Sequence, residues 1–373
     1  MIYLDSAATT FRKPASVRSA VARAMQTMSS PGRGGYRSAR AAEETLFRCR
    51  GLAASLFGVE QREQVVFTTS ATHGLNIAIK SLVPRGGRVI VSGWEHNAVT
   101  RPLHALGAEL VVAQAPLFDT EGCVRAFRDA LSGGADAAVC TGASNVFGFA
   151  LPMEAIAAAC RSAGVPLIVD ASQSAGIVPL DFAALGASFA AMPGHKGLYG
   201  PQGTGLLLCA ADAIPLIEGG TGSASLDREM PSFLPDRLEA GTHNVPGIAG
   251  LEAGLRFVRQ VGPERIARHE QTLIRRAADG LRGMEPVTVY AAESGVAQLG
   301  VLSFTVRGKS CEDVAEELAQ RGVAVRAGYH CAPLAHRSAG TLESGTVRIS
   351  VSAFSTEAEI DAFLRILRGI LAK

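Results

Sequence analysis

The chain has no Cys-x-x-Cys pair, no long apolar run and no surplus of either charge. Its seven cysteines, Cys49, Cys123, Cys140, Cys160, Cys209, Cys311 and Cys331, are odd in number and widely spaced. That spacing argues against a disulfide framework and a zinc ribbon, and sets the expectation of a reducing, cytoplasmic setting. No stretch of about 18 apolar residues occurs, so no transmembrane helix and no membrane partner are expected. The opening MIYLDSAATTFRKP carries Asp5 and lacks the apolar centre of a signal peptide. Lys and Arg number 36 against 34 Asp and Glu. A net charge of +2 leaves no electrostatic footprint for nucleic acid. Internal repeats and low-complexity segments are absent as well.

What is present is a large potential core. Hydrophobic residues make up 47% of the 373 and charged residues 19%, which excludes intrinsic disorder. Short apolar runs alternate with helix-like stretches: VVFTTS (65–70), RVIVSG (88–93), AELVVAQA (108–115), ADAAVCTGAS (135–144), PLIVDAS (166–172), SFAAMPG (188–194) and TGLLLCA (204–210). Continuous apolar strands between helices predict an α/β domain with a mostly parallel seven-stranded sheet, covered on both faces. The pattern changes near GTHNVPGIAGL (241–251). One long amphipathic helix is expected over about 246–283, then strands at 298–306 and 345–354 and helices near 311–322 and at the C-terminus. The alternation in VRISVS predicts a sheet with one solvated face. The expected division is an N-terminal segment, 1–15, packing with the small domain; a large domain, 16–250; and a smaller α+β domain, 251–373.

In open α/β sheets, ligands bind at the carboxyl ends of strands. The polar residues following the runs are Ala71-Thr72 at a helix start, His96, Asn145, Asp170 with Gln173, and His195-Lys196. An anion-binding helix end, an imidazole, a carboxylate and a lysine are the requirements of pyridoxal phosphate. Its phosphate takes the free N–H groups of Ala71 and Thr72. Asp170 keeps the ring nitrogen protonated. His96 stacks on the ring, and Lys196 is the candidate Schiff-base former.

The ordered segments YLDSAATT, FTTSATHGLN, WEHNA, SNVFGFALPMEAI, VDASQS, GHKGLYGPQGTG, RAGYHCAPLAH and VRIS span nearly the whole chain. They resemble the class V aminotransferase group of fold-type-I pyridoxal-phosphate enzymes and, within it, the cysteine desulfurases. The resemblance implies that Lys196 carries the cofactor and moves protons, Asp170 pairs with the ring nitrogen, and Gln173 meets the ring hydroxyl. His96 would stack on the ring and assist proton transfer. Thr72, the Ala71 backbone and His195 would hold the phosphate, and Asn145 and Arg348 the substrate carboxylate. Thr242 would reach the phosphate of a second subunit, giving a homodimer with shared sites. Cys331 would take sulfur from L-cysteine as a persulfide, release alanine and pass the sulfur to an acceptor protein, as in iron–sulfur cluster assembly. No metal is implied. Two departures stand out: Pro193, where such enzymes often have a hydroxyl for the phosphate, and Gly197 after the lysine.

Each residue also has a plainer reading. A lysine after a strand is ordinarily solvated, Asp170 and Thr72 can cap helices, and Asn145 can form a turn. Gln173, His96, His195 and Thr242 alone read as surface or loop residues, and Arg348 as the exposed face of its strand. Only the joint order of the motifs overrides these readings. Competing motifs fail: the G-K-S at 308–310 has no preceding glycine at the phosphate-loop spacing, and His330, Cys331 and His336 lack the further ligands of a zinc site. Selenocysteine lyase, or another class V lyase or aminotransferase, is the alternative activity on the same scaffold. A catalytically idle scaffold is a third reading, disfavoured by the Lys196–Asp170–His96 set.

Overall fold

All seven apolar runs pair into one sheet, in the spatial order Val65–Thr68, Gly205–Cys209, Phe189–Pro193, Leu167–Asp170, Ala137–Thr141, Arg88–Ser92 and Glu109–Ala113. The computed structural model describes every residue except Arg33, Ser294 and Lys373. Only Gly205–Cys209 runs antiparallel to its neighbours. The continuous apolar character of the strands follows from burial on both faces. Val65 and Phe67 join one cluster and Val66 the other; Leu167 and Val169 likewise oppose Ile168. The helices Arg37–Leu56, Thr120–Leu131 and Met153–Ser162 cover one side, and Ala71–Leu82 with Asn97–Ala105 the other. Met153–Ser162 stops before Gly164, whose φ of +67° ends the helix without a Cβ penalty.

A second sheet of four antiparallel strands has the order Arg326–Gly328, Thr346–Ser350, Val301–Val306 and Val287–Tyr290. Its apolar face packs on Pro263–Arg282, Cys311–Gln320 and Glu357–Leu371. Ile2–Tyr3 pairs in parallel with Val323–Ala324, so the N-terminus joins this region.

Two expectations need correction. The single helix over 246–283 is two helices, Val245–Val261 and Pro263–Arg282. They part at Gly262, where φ is +91°, and Pro263 starts the second because its missing N–H is harmless there. The strand Thr346–Ser350 has no solvated face: every residue is buried, and Arg348 is only 2% exposed. Its polar residues turn inward to other polar groups rather than to water.

Two glycines fix how the turns at the strand ends meet. A Cβ on Gly197 would lie 2.3 Å from the Ala175 carbonyl oxygen, and one on Gly176 2.4 Å from that of Gly197. The turn bearing Lys196 and the turn after Asp170 therefore touch backbone to backbone. Gly197 is a packing requirement of that contact.

Candidate active site

The strand ends converge. Ala71, Thr72, His96, Asn145, Asp170, Gln173, His195 and Lys196 line one open cavity, together with Pro193. Its anion end is built at the start of Ala71–Leu82. Ser70 caps that helix by accepting from His73 N at 3.2 Å, and Gly74 N bonds the Ser70 carbonyl at 3.3 Å. The N–H groups of Ala71 and Thr72 are left without an intrahelical partner, where the helix dipole favours an anion. His195 adds a buried Nδ1 with no hydrogen-bond partner among the described residues. Burial holds its pKa down to about 4, so the ring is neutral.

Asp170 ends its strand 2% exposed, and its Oδ1 accepts from Ser172 N at 2.9 Å. Burial lowers the Lys196 amine to about 8, against a smaller opposing pull from Asp170. A lysine at that value is a partly neutral nucleophile and base near neutral pH. His96 caps its helix, with Nδ1 accepting from Ala98 N at 3.0 Å. Burial lowers its pKa as well, so the neutral ring carries its proton on Nε2. Gln173 donates to the Ala7 carbonyl at 3.0 Å, leaving one amide proton for a cavity oxygen.

Arg348 and Cys331 stand outside this lining. The Arg348 guanidinium donates to Asp5 Oδ1 and to the Asn145 carbonyl, each at 2.9 Å. Cys331 is the one exposed cysteine; the other six are buried. It follows His330 in a turn where both residues have left-handed φ, +49° and +57°. Two donors at the cavity rim hold that turn: Asn145 Nδ2 to the His330 carbonyl at 2.8 Å, and Asn97 N to the Cys331 carbonyl at 2.7 Å. The His330 ring faces away, with Nε2 on Thr346, and burial drives its pKa to about 2. Thr242 is not brought to this cavity. It lines a neighbouring one with Thr69, His73 and Glu239.

Three residues given no role by the sequence patterns hold the site. Asp5 carries both Arg348 and Arg326, the latter at 2.9 Å. Lys13 donates to the His195 carbonyl at 2.9 Å, where Thr10 N also bonds at 3.1 Å, so the N-terminal segment pins the chain just before Lys196. Glu95 is fully buried; its Oε1 accepts from Ser92 and from Thr141 N, and burial pushes its pKa up to about 8. Asp5 and Glu95 lie within YLDSAATT and WEHNA, which was the available signal.

The sequence profile of the family described as "Aminotransferase class-V" matches residues 2–363. A cysteine desulfurase of Klebsiella pneumoniae subsp. pneumoniae is 33% identical, with 99% of this chain and 93% of that protein aligned. A probable cysteine desulfurase of Mycolicibacterium paratuberculosis is 31% identical over 99% of this chain, which spans 55% of that longer protein. The apo structure of a cysteine desulfurase from Thermococcus onnurineus NA1 superposes with a TM-score of 0.92 at 29% identity, covering 99% of this chain and 94% of that one. This chain belongs to the class V aminotransferase family, among its cysteine desulfurases.

Proposed function

We propose that this protein is a pyridoxal-phosphate-dependent cysteine desulfurase: L-cysteine and the Cys331 thiol give L-alanine and a Cys331 persulfide, whose outer sulfur passes to an acceptor protein. The observation that carries the reading is one cavity holding a desolvated lysine, a buried carboxylate and an unfilled helix N-terminus, with the one exposed thiol tied to its rim.

The residues fit the cofactor. The free N–H groups of Ala71 and Thr72, the Thr72 hydroxyl and the orphaned His195 Nδ1 suit a phosphate. Pro193 contributes neither hydroxyl nor N–H there, so those groups carry more of the binding. Asp170 would meet the ring nitrogen, Gln173 the ring hydroxyl and His96 the ring face. When bound, pyridoxal phosphate supplies an electron sink for negative charge at the α-carbon of an amino acid.

The chain's own groups do the rest. Lys196 anchors the cofactor and, once displaced by the substrate amine, accepts the α-proton at Nζ. Arg348 and Asn145 are the donors for the substrate carboxylate, Arg348 by its bidentate fork. Cys331 bonds to the substrate sulfur as the Cβ–S bond breaks. Thr242, outside this cavity, is assigned to the phosphate of a second copy of the chain. Selenocysteine stays a second substrate because Cys331 stands outside the cavity lining, and selenium leaves without needing a thiol partner.

The test gives the purified, cofactor-loaded protein L-cysteine and a reductant. Equal yields of alanine and sulfide are expected, and borohydride followed by peptide mapping should label Lys196. No label on Lys196 overturns the reading. Turnover of L-cysteine unchanged in Cys331→Ala overturns the assigned thiol.

A further inference from the structure

Lys196 and Gln173 line a second, narrower cavity, whose further walls include Ser6, Tyr199, Gly300 and Glu270. Glu270 comes from the helix Pro263–Arg282 and is 2% exposed. Among the described residues it makes no hydrogen bond and no ion pair. A buried carboxyl with no partner is unfavourable relative to an apolar side chain of the same size, so packing alone does not account for it. Room is kept for it: a Cβ on Gly300 would lie 2.4 Å from Glu270 Oε2.

The surroundings carry no neutralising cation. Tyr199 faces the carboxyl, and its hydroxyl accepts from Ala353 N at 2.8 Å. Leu299, Val301 and Val351 present apolar walls. On the helix itself, His269 turns to the Ser355 carbonyl at 2.9 Å and Arg276 to Asp361 at 2.7 Å. Lys196 is the base that shares the cavity. The cavity has room for about one water molecule, and Ser6 and Thr10 are among its walls.

We propose that Glu270 is the proton reserve of Lys196, its carboxylic acid exchanging a proton with the lysine amine through water in this cavity. The O–H bond of Glu270 breaks and an N–H bond forms on Lys196, leaving carboxylate and ammonium; the reverse step restores acid and amine. The pair has no net charge in either arrangement, so the proton moves without carrying charge into or out of the interior. Burial pushes Glu270 up to about 8 and Lys196 down to about 8, and both shifts favour the neutral acid and the neutral amine. The proposal rests on the reading that Lys196 is the reactive amine. Glu270 acts through Lys196 and is a positioning residue.

The test compares wild type and Glu270→Gln, both loaded with pyridoxal phosphate. Infrared spectra of the wild type, loaded and cofactor-free, should show a protonated buried carboxyl near neutral pH that titrates together with the absorbance of the bound cofactor. Glu270→Gln should abolish that band. It should also move the absorbance midpoint to lower pH by about half a unit or more, because no carboxylate remains to favour the cation. A loaded variant with an unmoved midpoint overturns the proposal and leaves the desulfurase reading intact. If Glu270→Gln does not fold, the wild-type spectra decide: an ionised carboxyl at neutral pH, or one titrating independently of the cofactor, overturns it. Failure of borohydride to label Lys196 in wild type overturns both readings.

Discussion

Asp170 ends one strand of the large sheet and Lys196 stands on the turn after the adjacent parallel strand, with the turns that follow the two strands in backbone contact and Asp170 buried. Cys331 stands on an exposed turn beside the smaller sheet, in left-handed backbone geometry, tied to the cavity by two hydrogen bonds. The amine and carboxylate must keep a fixed spacing to hold one cofactor. The thiol must meet a substrate inside and an acceptor outside. The rigid sheet serves the first need and the tethered turn the second.

That contrast breaks if the two regions depend on each other. The largest expected effect is in Lys196→Ala, with alanine formation falling about 10⁴-fold or more and the borohydride label lost. Cys331→Ala should lose about 10²-fold in desulfuration while cofactor absorbance stays as in wild type. A changed cofactor spectrum in Cys331→Ala would show that the turn shapes the cavity.

The N-terminal segment is where the regions meet, so Asp5→Ala sharpens the comparison. It leaves the buried Arg348 guanidinium without its carboxylate, at about 3 kcal/mol in urea unfolding. With its fork no longer held, KM for L-cysteine should rise about five-fold while kcat changes less. Equal losses in kcat and KM terms would place Asp5 in the chemistry itself.

Glu95→Gln probes the floor beneath Asp170 and should have the smallest effect. Burial raises the folded-state pKa of Glu95 from 4.5 to about 8. The stability this group contributes is therefore complete below pH 4.5 and lost as pH rises towards 8. Glutamine does not titrate, so the variant should gain about 2 kcal/mol on wild type between pH 5 and pH 8, read as Tm difference. A constant difference across that range would mean that Glu95 is ionised throughout.

The sheet was legible because each strand is a short apolar run bounded by turn residues, and the cavity because strand ends concentrate polar side chains. The helix break was also written in the chain, as Gly262-Pro263, but the apolar period continues across it and masked the stop. What the sequence hid lies at long range. Asp5 meets Arg348 across 343 positions, and no local period announces that pair. Arg348 read as solvent-facing because alternation reports two different faces of a strand, not which of them meets water. Nothing in the local pattern sets Glu270 apart from the exposed charges of its amphipathic helix.

The contact between Gly176 and Gly197 has a wider consequence. Where two loops abut with nothing but main chain between them, neither can drift without dragging its neighbour. An acid and an amine mounted on such a pair form one mechanical piece, and their separation survives thermal jostling. Evolution of new substrates on this scaffold would leave that seam untouched and work through the walls around it.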